Sequence, residues 1–295
     1  MALPEHTPEL ALLEEALTIL FCEVDDAYTH LNPRGWLYAS LKQLSDSEIL
    51  TLALFQQLRG IESERAFLRE VARFFSHLFP GMVDLHPSSF HRRVRKLRRY
   101  LEPLRRAILG ELVGDPETMI IDTTLLSVLH PRQVSQGSGF DGAAWVRWST
   151  FSVYGVKLHL LCATNRVPIR YELIPANVAE VSLAQELLVE ANLSEEVARR
   201  LLGDLAYQSE QLEETLAELG ILLVTERSRR RPGARQQIEI AFASLKRVFG
   251  IGETLATTLT GLATRIAAKI TAYTYAFLVN RRLDRPQGRI KELWA

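Results

Sequence analysis

Met119-Ile120-Ile121-Asp122-Thr123-Thr124-Leu125-Leu126 is a short apolar run with one carboxylate in its middle. An ionised carboxylate taken out of water costs several kcal/mol or more unless a cation accompanies it. If this run is a buried strand, Asp122 needs a positive partner. The rest of the chain is read for the residues that would share that partner.

Downstream of Asp122 the patterning is that of a mixed α/β layer. Residues 118–129 read as a first strand, and 130–150, rich in Gly, Ser and Gln, read as a loop carrying Trp145 and Trp148 near its end. Residues 151–163 and 169–174 read as a hairpin around Arg166-Val167-Pro168. A helix over about 181–191 follows. Then comes Arg200-Leu201-Leu202-Gly203-Asp204, a short strand ending in a second carboxylate. A helix from about Ser209 to Leu219 stops at Gly220, and Ile221 to Thr225 form a fifth strand. An Arg-rich turn at 227–235 opens a helix to about Phe249. A last long helix places Leu259, Leu262, Ile266, Ile270, Tyr273 and Phe277 three or four apart. It is expected to pack on the sheet or on the N-terminal helices. The expected order is βββαβαβα, five strands in one mixed sheet.

Upstream the periodicity is helical. Leu10, Leu13, Leu17, Leu20, Val24 and Tyr28 line one face of a helix over 8–30. Ser45-Asp46-Ser47-Glu48 has the form of a capping box opening a second helix to about Arg59. A third helix is expected from about Ser63 to Leu78, and a fourth after Pro87 with Ser88 as its cap. The fourth is strongly basic: His91 to Arg106 holds eight Arg or Lys and one Glu. Helix, turn and basic helix outline a helix-turn-helix-like DNA reader, with Arg92, Arg95 and Arg99 as phosphate contacts. A solvated basic face on a bundle helix is the alternative. Gly114-Asp115-Pro116 marks the expected boundary, giving a helical DNA-binding domain over 1–114, a catalytic domain over 115–282 and a tail over 283–295.

The formal net charge is zero and 47% of residues are hydrophobic, as in a globular protein with a sizeable core. Balanced charge excludes a uniformly cationic or acidic protein, yet the charges are clustered. Five Arg fall between Arg227 and Arg235 with no acid among them. Such blocks indicate local anion-binding surfaces. Cys22 and Cys162 sit in apolar contexts, outside any CxxC pattern, and read as small buried hydrophobes in a reducing cytosol. No apolar run approaches the roughly 20 residues of a membrane span.

Three acids stand out by place. Asp122 lies on the first strand, Asp204 at the end of the fourth, and Glu239 in the first turns of the helix after the fifth. With the first strand central and the fourth beside it, Asp122 and Asp204 adjoin, and the helix can carry Glu239 over them. Three such acids repel one another unless a divalent cation joins them. All-oxygen ligation suits Mg²⁺ or Mn²⁺ rather than zinc. Arg235 is four residues before Glu239 and Lys246 seven after, so the three share a stripe suited to phosphate groups. A solvated ion-pair ladder would give the same spacing. Lys157 and His159 alternate on the second strand and are candidate phosphate contacts, though His159 equally fits a structural role. Trp145 and Trp148 could stack on an unpaired base or anchor the loop to the core. Tyr207, three past Asp204, reads as a core or phosphate-facing residue.

Asp122 in MIIDTTLL, Asp204 in LLGDLAYQS, and Arg235, Glu239 and Lys246 in R-x3-E-x6-K resemble the DDE transposases of bacterial insertion sequences. The second Asp and the Glu are 35 positions apart, a spacing typical of that group. YGVKLHLL (154–161), ELIPANVAE (172–180) and GLATRIAAKITAY (261–273) are similar to it as well. The resemblance implies an RNase H-like catalytic domain and Asp122, Asp204 and Glu239 as catalytic metal ligands. It implies two Mg²⁺ ions, replaceable by Mn²⁺, with Arg235 and Lys246 on DNA phosphates. It further implies cleavage at transposon ends, attack of the freed 3′-hydroxyl on target DNA, a homodimer on double-stranded DNA, and a cytoplasmic, nucleoid-associated protein. Many relatives carry Tyr seven residues before the Glu, where this chain has Pro232. Three other readings remain open at this level. A nuclease or resolvase that cuts without joining shares the triad. A non-enzymatic DNA-binding descendant would be expected to have lost an acid. A small-substrate phosphatase leaves the basic helix unexplained.

Overall fold

The strand around Asp122 is central in the computed structural model, which describes residues 7–33, 42–82, 85–113, 116–130, 134, 140–148, 150–181, 184, 200–225, 233, 235–253 and 255–294. Strand β1 (Thr118–Leu129) pairs antiparallel with β3 (Phe151–Ala163) on one edge and parallel with β5 (Arg200–Gly203) on the other. Met119, Ile120 and Ile121 are all fully buried, so β1 is covered on both faces and reads as a continuous apolar run rather than an alternation. The sheet extends through β6 (Leu222–Thr225), parallel to β5, and on the far side through β4 (Pro168–Pro175), antiparallel to β3. The result is the mixed α/β sheet expected from the sequence, with one strand more than expected.

The additional strand is β2 (Ala144–Trp148), in the region read as a loop. It pairs with residues 151–155 of β3, and β4 pairs with residues 156–162, so the two occupy successive stretches of the same β3 edge. Together they make a six-stranded sheet. Ala144-Trp145-Val146-Arg147-Trp148 does carry a strand composition. The polar, Gly-rich approach to it hid the signal. Gly155 sits at the changeover. A Cβ there would lie 2.1 Å from the Leu126 carbonyl oxygen, so only glycine lets β3 approach β1 this closely.

Helix α7 (Glu210–Glu218) packs on one face of the sheet. Leu212 and Leu216 join Met119, Ile121, Leu161, Leu201 and Tyr207 in one apolar cluster. Helix α8 (Gln236–Arg247) packs against β1 through a face made by Ile238, Ala241, Phe242 and Leu245. The helix expected over about 181–191 and the Arg-rich turn with Pro232 lie outside the described residues, apart from Val181, Ala184, Gly233 and Arg235.

The chain divides into two compact units, residues 109–263, which hold the sheet, and residues 1–108 with 264–295. The helical unit contains α1 (Pro8–Leu31), α2 (Asp46–Leu58), α3 (Glu64–Phe74), α4 (Pro87–Leu97) and α5 (Leu101–Ala107). The short α6 (Leu109–Val113) follows in the sheet unit. The capping box forms as read: Ser45 Oγ accepts from Glu48 N–H at 3.0 Å, and the Glu48 carboxylate accepts from Ser45 N–H. Helix α4 is capped by His86 rather than Ser88, with Pro87 at its first position. It ends at Leu97. Residues Arg98–Tyr100 tighten into a 3₁₀ turn before α5, which carries Pro103 in its first turn. Proline is tolerated in the first turn of a helix and not in the middle of one, which accounts for the break.

The C-terminal residues are not the tail expected over 283–295, and the long last helix does not belong wholly with the sheet. Helix α9 (Leu259–Arg282) contributes its residues from Thr264 onward to the helical unit. There Lys269, 1% exposed, pairs with Glu62, Thr271 Oγ1 donates to the Leu101 carbonyl at 3.2 Å, and Tyr275 donates to the Leu104 carbonyl. Trp294 of the last turn, α10 (Lys291–Trp294), is fully buried against Phe55. These pairings span most of the sequence, which is why composition could not reveal the grouping. Cys22 is exposed and only Cys162 is buried, against the expectation for both.

Candidate active site

Strand register brings two of the three expected acids together. In the parallel β1–β5 ladder Thr118 pairs with Arg200, Met119 with Leu201 and Ile120 with Leu202. Continuing that register two residues places Asp122 opposite Asp204, just beyond the last pair. There the strands end their pairing and the two side chains are half-buried. Asp122 Oδ1 accepts from the Thr123 N–H at 2.8 Å. Asp204 caps a single 3₁₀ turn, its Oδ1 accepting from Ala206 N–H at 2.8 Å. Tyr207 packs closely on Gly203, where a Cβ would lie 3.0 Å from the Tyr207 ring.

The third carboxylate of the group is Glu180. Ligand oxygens of Asp122, Asp204 and Glu180 lie within 4.8 Å of one another. Glu180 follows the turn that leaves β4, where Val178 N–H donates to the Pro175 carbonyl and Ala176 N–H to the Gly155 carbonyl. Lys157 of β3 holds this turn: its Nζ donates to the Val178 carbonyl at 3.1 Å and lies 3.2 Å from Glu180 Oε1. Lys157 is therefore engaged by the protein, not displayed as the open phosphate contact expected from sequence. Glu180 was visible only as the last residue of ELIPANVAE, without a spacing that would single it out.

Glu239 stands apart from this group. It is exposed, in the first turn of α8. Its two companions are nevertheless close to the acids. Arg235 lowers the pKa of Asp122, and Asp122 in turn acts on Lys246 to raise its pKa against the burial that lowers it. Arg235 and Lys246 thus bring positive charge to Asp122 from either end of α8, while Glu239 between them in sequence is exposed.

The electrostatics favour the addition of a cation. Burial pushes the Asp122 carboxyl up to about 6, the Thr123 N–H and Arg235 oppose that, and Asp204 and Glu180 add to it. An all-oxygen set of three carboxylates, one held partly protonated by its surroundings, fits a hard divalent cation. Such an ion would reverse the repulsion that raises Asp122.

His159 and Tyr207 lie behind the acids. His159 is fully buried, so it is not available to DNA, contrary to its candidate role. Its Nε2 is 3.0 Å from the Tyr207 hydroxyl and the rings stack at 5.7 Å. Burial, followed by the Lys157 charge, lowers its pKa to about 4, so it stays neutral. Tyr207 is also fully buried, and burial together with the three acids raises its pKa well above the usual phenol range. The pair is a prop under the Asp204 turn.

Trp145 and the three α4 arginines are at the surface. Trp145 is 44% exposed on β2, its ring 5.4 Å from that of Tyr154. Trp148 pairs with Phe151 in the ladder, and its side chain lies outside the described residues. Arg92, Arg95 and Arg99 are exposed along and just after α4, with Arg99 lying over the Tyr100 ring at 5.0 Å. Twelve residues separate α3 from α4, from Phe75 to His86, longer than the turn of a compact helix-turn-helix.

Residues 114–275 match the family described as the transposase DDE domain. No curated sequence matches the chain. Among solved structures, the piggyBac transposase in a synaptic complex with hairpin DNA aligns at 11% identity over 98% of this chain and 79% of that chain, with a TM-score of 0.44. A pre-cleavage Mos1 transpososome aligns at 12% identity over 79% of each chain, with a TM-score of 0.27. The family match spans more than half of the sequence and contains Asp122, Glu180, Asp204 and Glu239. This chain belongs to the DDE-domain transposases, the metal-dependent polynucleotidyl transferases of DNA transposition.

Proposed function

We propose that this protein is the transposase of a bacterial insertion sequence, which binds the terminal repeats of its element, cuts at their ends and joins the freed 3′-hydroxyls to target DNA. The observation that carries this reading is the carboxylate group where the β1–β5 ladder ends, flanked by Arg235 and Lys246, in a DDE-family chain. Asp122 and Asp204 are the principal metal ligands, and Glu239 is the third acid of the DNA-bound state. Two Mg²⁺ ions, or Mn²⁺ in their place, would be held by these acids and would supply Lewis acidity at the reacting phosphate. Arg235 and Lys246 hold phosphate oxygens beside the scissile bond. In the first step water attacks phosphorus and the P–O3′ bond breaks. In the second the 3′-hydroxyl attacks a target phosphate and displaces a target 3′-oxygen. The His159–Tyr207 prop keeps Asp204 in register with Asp122. Arg92, Arg95 and Arg99 contact DNA backbone phosphates. Two ends must be processed together, which favours a homodimer on DNA.

The test is incubation of labelled end DNA and Mg²⁺ with wild type and with Asp122→Asn. Cleavage by wild type alone supports the reading, and equal cleavage by both contradicts it. Pre-cut ends distinguish a transposase from a nuclease: hydrolysis without joined product would assign the chain to the nucleases.

A further inference from the structure

Glu180 lies closer to Asp122 and Asp204 than the spacing-selected Glu239 does, since only Glu180 shares the group of ligand atoms within 4.8 Å. Its place is built rather than incidental. The turn that carries it is pinned at both ends by backbone bonds, Ala176 to Gly155 and Val178 to Pro175. Lys157 reaches the same turn from the neighbouring strand, binding the Val178 carbonyl and Glu180 Oε1 together, with side chains only 12% and 18% exposed. A lysine that fixes the backbone before a carboxylate also fixes where that carboxylate points. Glu239, by contrast, is exposed on the stripe of α8.

We infer that the divalent cation of the DNA-free protein is held by Asp122, Asp204 and Glu180, with Lys157 as the residue that positions Glu180, and that Glu239 is not part of this resting set. The inference rests on the metal-dependent reading of the site and adds a ligand to it. It gives the enzyme a charged cation site before DNA arrives, one whose ligands do not include Glu239. The Lys157 ammonium lies 3.2 Å from Glu180 Oε1, and its role is to orient the ligand, not to replace the ion.

The experiment is Mn²⁺ binding to the DNA-free full-length chain, followed by the electron paramagnetic resonance of free Mn²⁺. Asp122→Asn and Glu180→Gln should each weaken binding about tenfold or more, because each removes a charged oxygen ligand. Lys157→Met leaves the ligand in place but frees its turn, and should weaken binding by about tenfold as well. Glu239→Gln should leave binding unchanged. Loss of binding in Asp122→Asn with wild-type affinity in both Glu180→Gln and Lys157→Met overturns the inference and leaves the metal site standing. Equal loss in Glu180→Gln and Glu239→Gln overturns the proposed resting set. Wild-type affinity in Asp122→Asn overturns the metal reading itself, and with it the inference.

Discussion

Two half-hidden aspartates in this chain show opposite chemistry. Asp46, at the start of α2 in the helical unit, is 8% exposed and lies 2.6 Å from both Lys42 Nζ and Arg93 Nη2. Burial alone would raise its pKa, but the two cations outweigh it and leave the pKa lowered. Asp122, in the sheet unit, has two carboxylates for neighbours and is pushed up to about 6. Lys269 with Glu62 and Arg105 with Glu102 repeat the Asp46 pattern, each buried cation meeting its acid. Buried charge in the helical unit is neutralised by the protein. Buried charge where the β1–β5 ladder ends is concentrated with its own sign, an arrangement that makes sense when the neutralising charge comes from outside.

The largest expected difference is in activity. Asp122→Asn should abolish end cleavage, by about 10³-fold or more, since the ions it holds contribute several kcal/mol to the transition state. Asp46→Asn should leave the cleavage rate of folded protein near wild type. Stability should move the other way. Asp46→Asn strands Lys42 and Arg93 beside a neutral group and should lower the unfolding free energy by about 1–3 kcal/mol, discounted because both cations are partly solvated. Asp122→Asn removes a desolvated, repelled charge and should stabilise metal-free protein at neutral pH by roughly 1–3 kcal/mol. Urea or thermal unfolding of both variants checks the pair, and destabilisation by both would erase the contrast.

Acidification separates the two aspartates further. Asp122 has a folded pKa above its unfolded value, so its contribution is present below about pH 4 and is lost as pH rises through about 6. His159 has a folded pKa depressed to about 4, so its contribution is present above about pH 6.5 and is lost as pH falls. In metal-free wild type the two slopes oppose each other between about pH 4 and 6. Asp122→Asn should expose the His159 slope, with stability falling steadily on acidification. A profile identical to wild type would refute the assignment of the Asp122 slope. The smallest effect is expected from the α4 surface. Charge reversal at Arg92, Arg95 and Arg99 should weaken DNA binding and reduce its salt dependence, by about one unit of slope for each phosphate released, without changing the melting temperature.

What could be read in advance follows a physical line. Short-range signals held: the Ser45–Glu48 box depends on residues three apart, and Asp122 and Asp204 were found because apolar strands seldom contain acids. Signals that depend on tertiary neighbours did not. The burial of His159 is fixed by Tyr207, 48 residues away, and alternation along β3 could not tell which face would be covered. The strand at Ala144–Trp148 exists because β3 offers it an edge. Glu180 reaches the acids through a turn held by Lys157, 23 positions earlier in the chain, and no sequence spacing encodes that. The Asp204–Glu239 interval reads as a motif, but it does not fix where Glu239 sits before DNA is bound.

If Asp122, Asp204 and Glu180 are gathered for a cation, the DNA-free protein must gain stability when that cation is supplied. Thermal unfolding across a Mg²⁺ titration, wild type beside Asp122→Asn, measures this. Binding to the folded state alone raises stability by about 2.7 kcal/mol at a hundred times the dissociation constant. Mg²⁺ should raise the melting temperature of wild type progressively and leave that of Asp122→Asn where it began. A melting temperature that responds equally in both proteins, or in neither, would mean that the acids are not gathered for an ion.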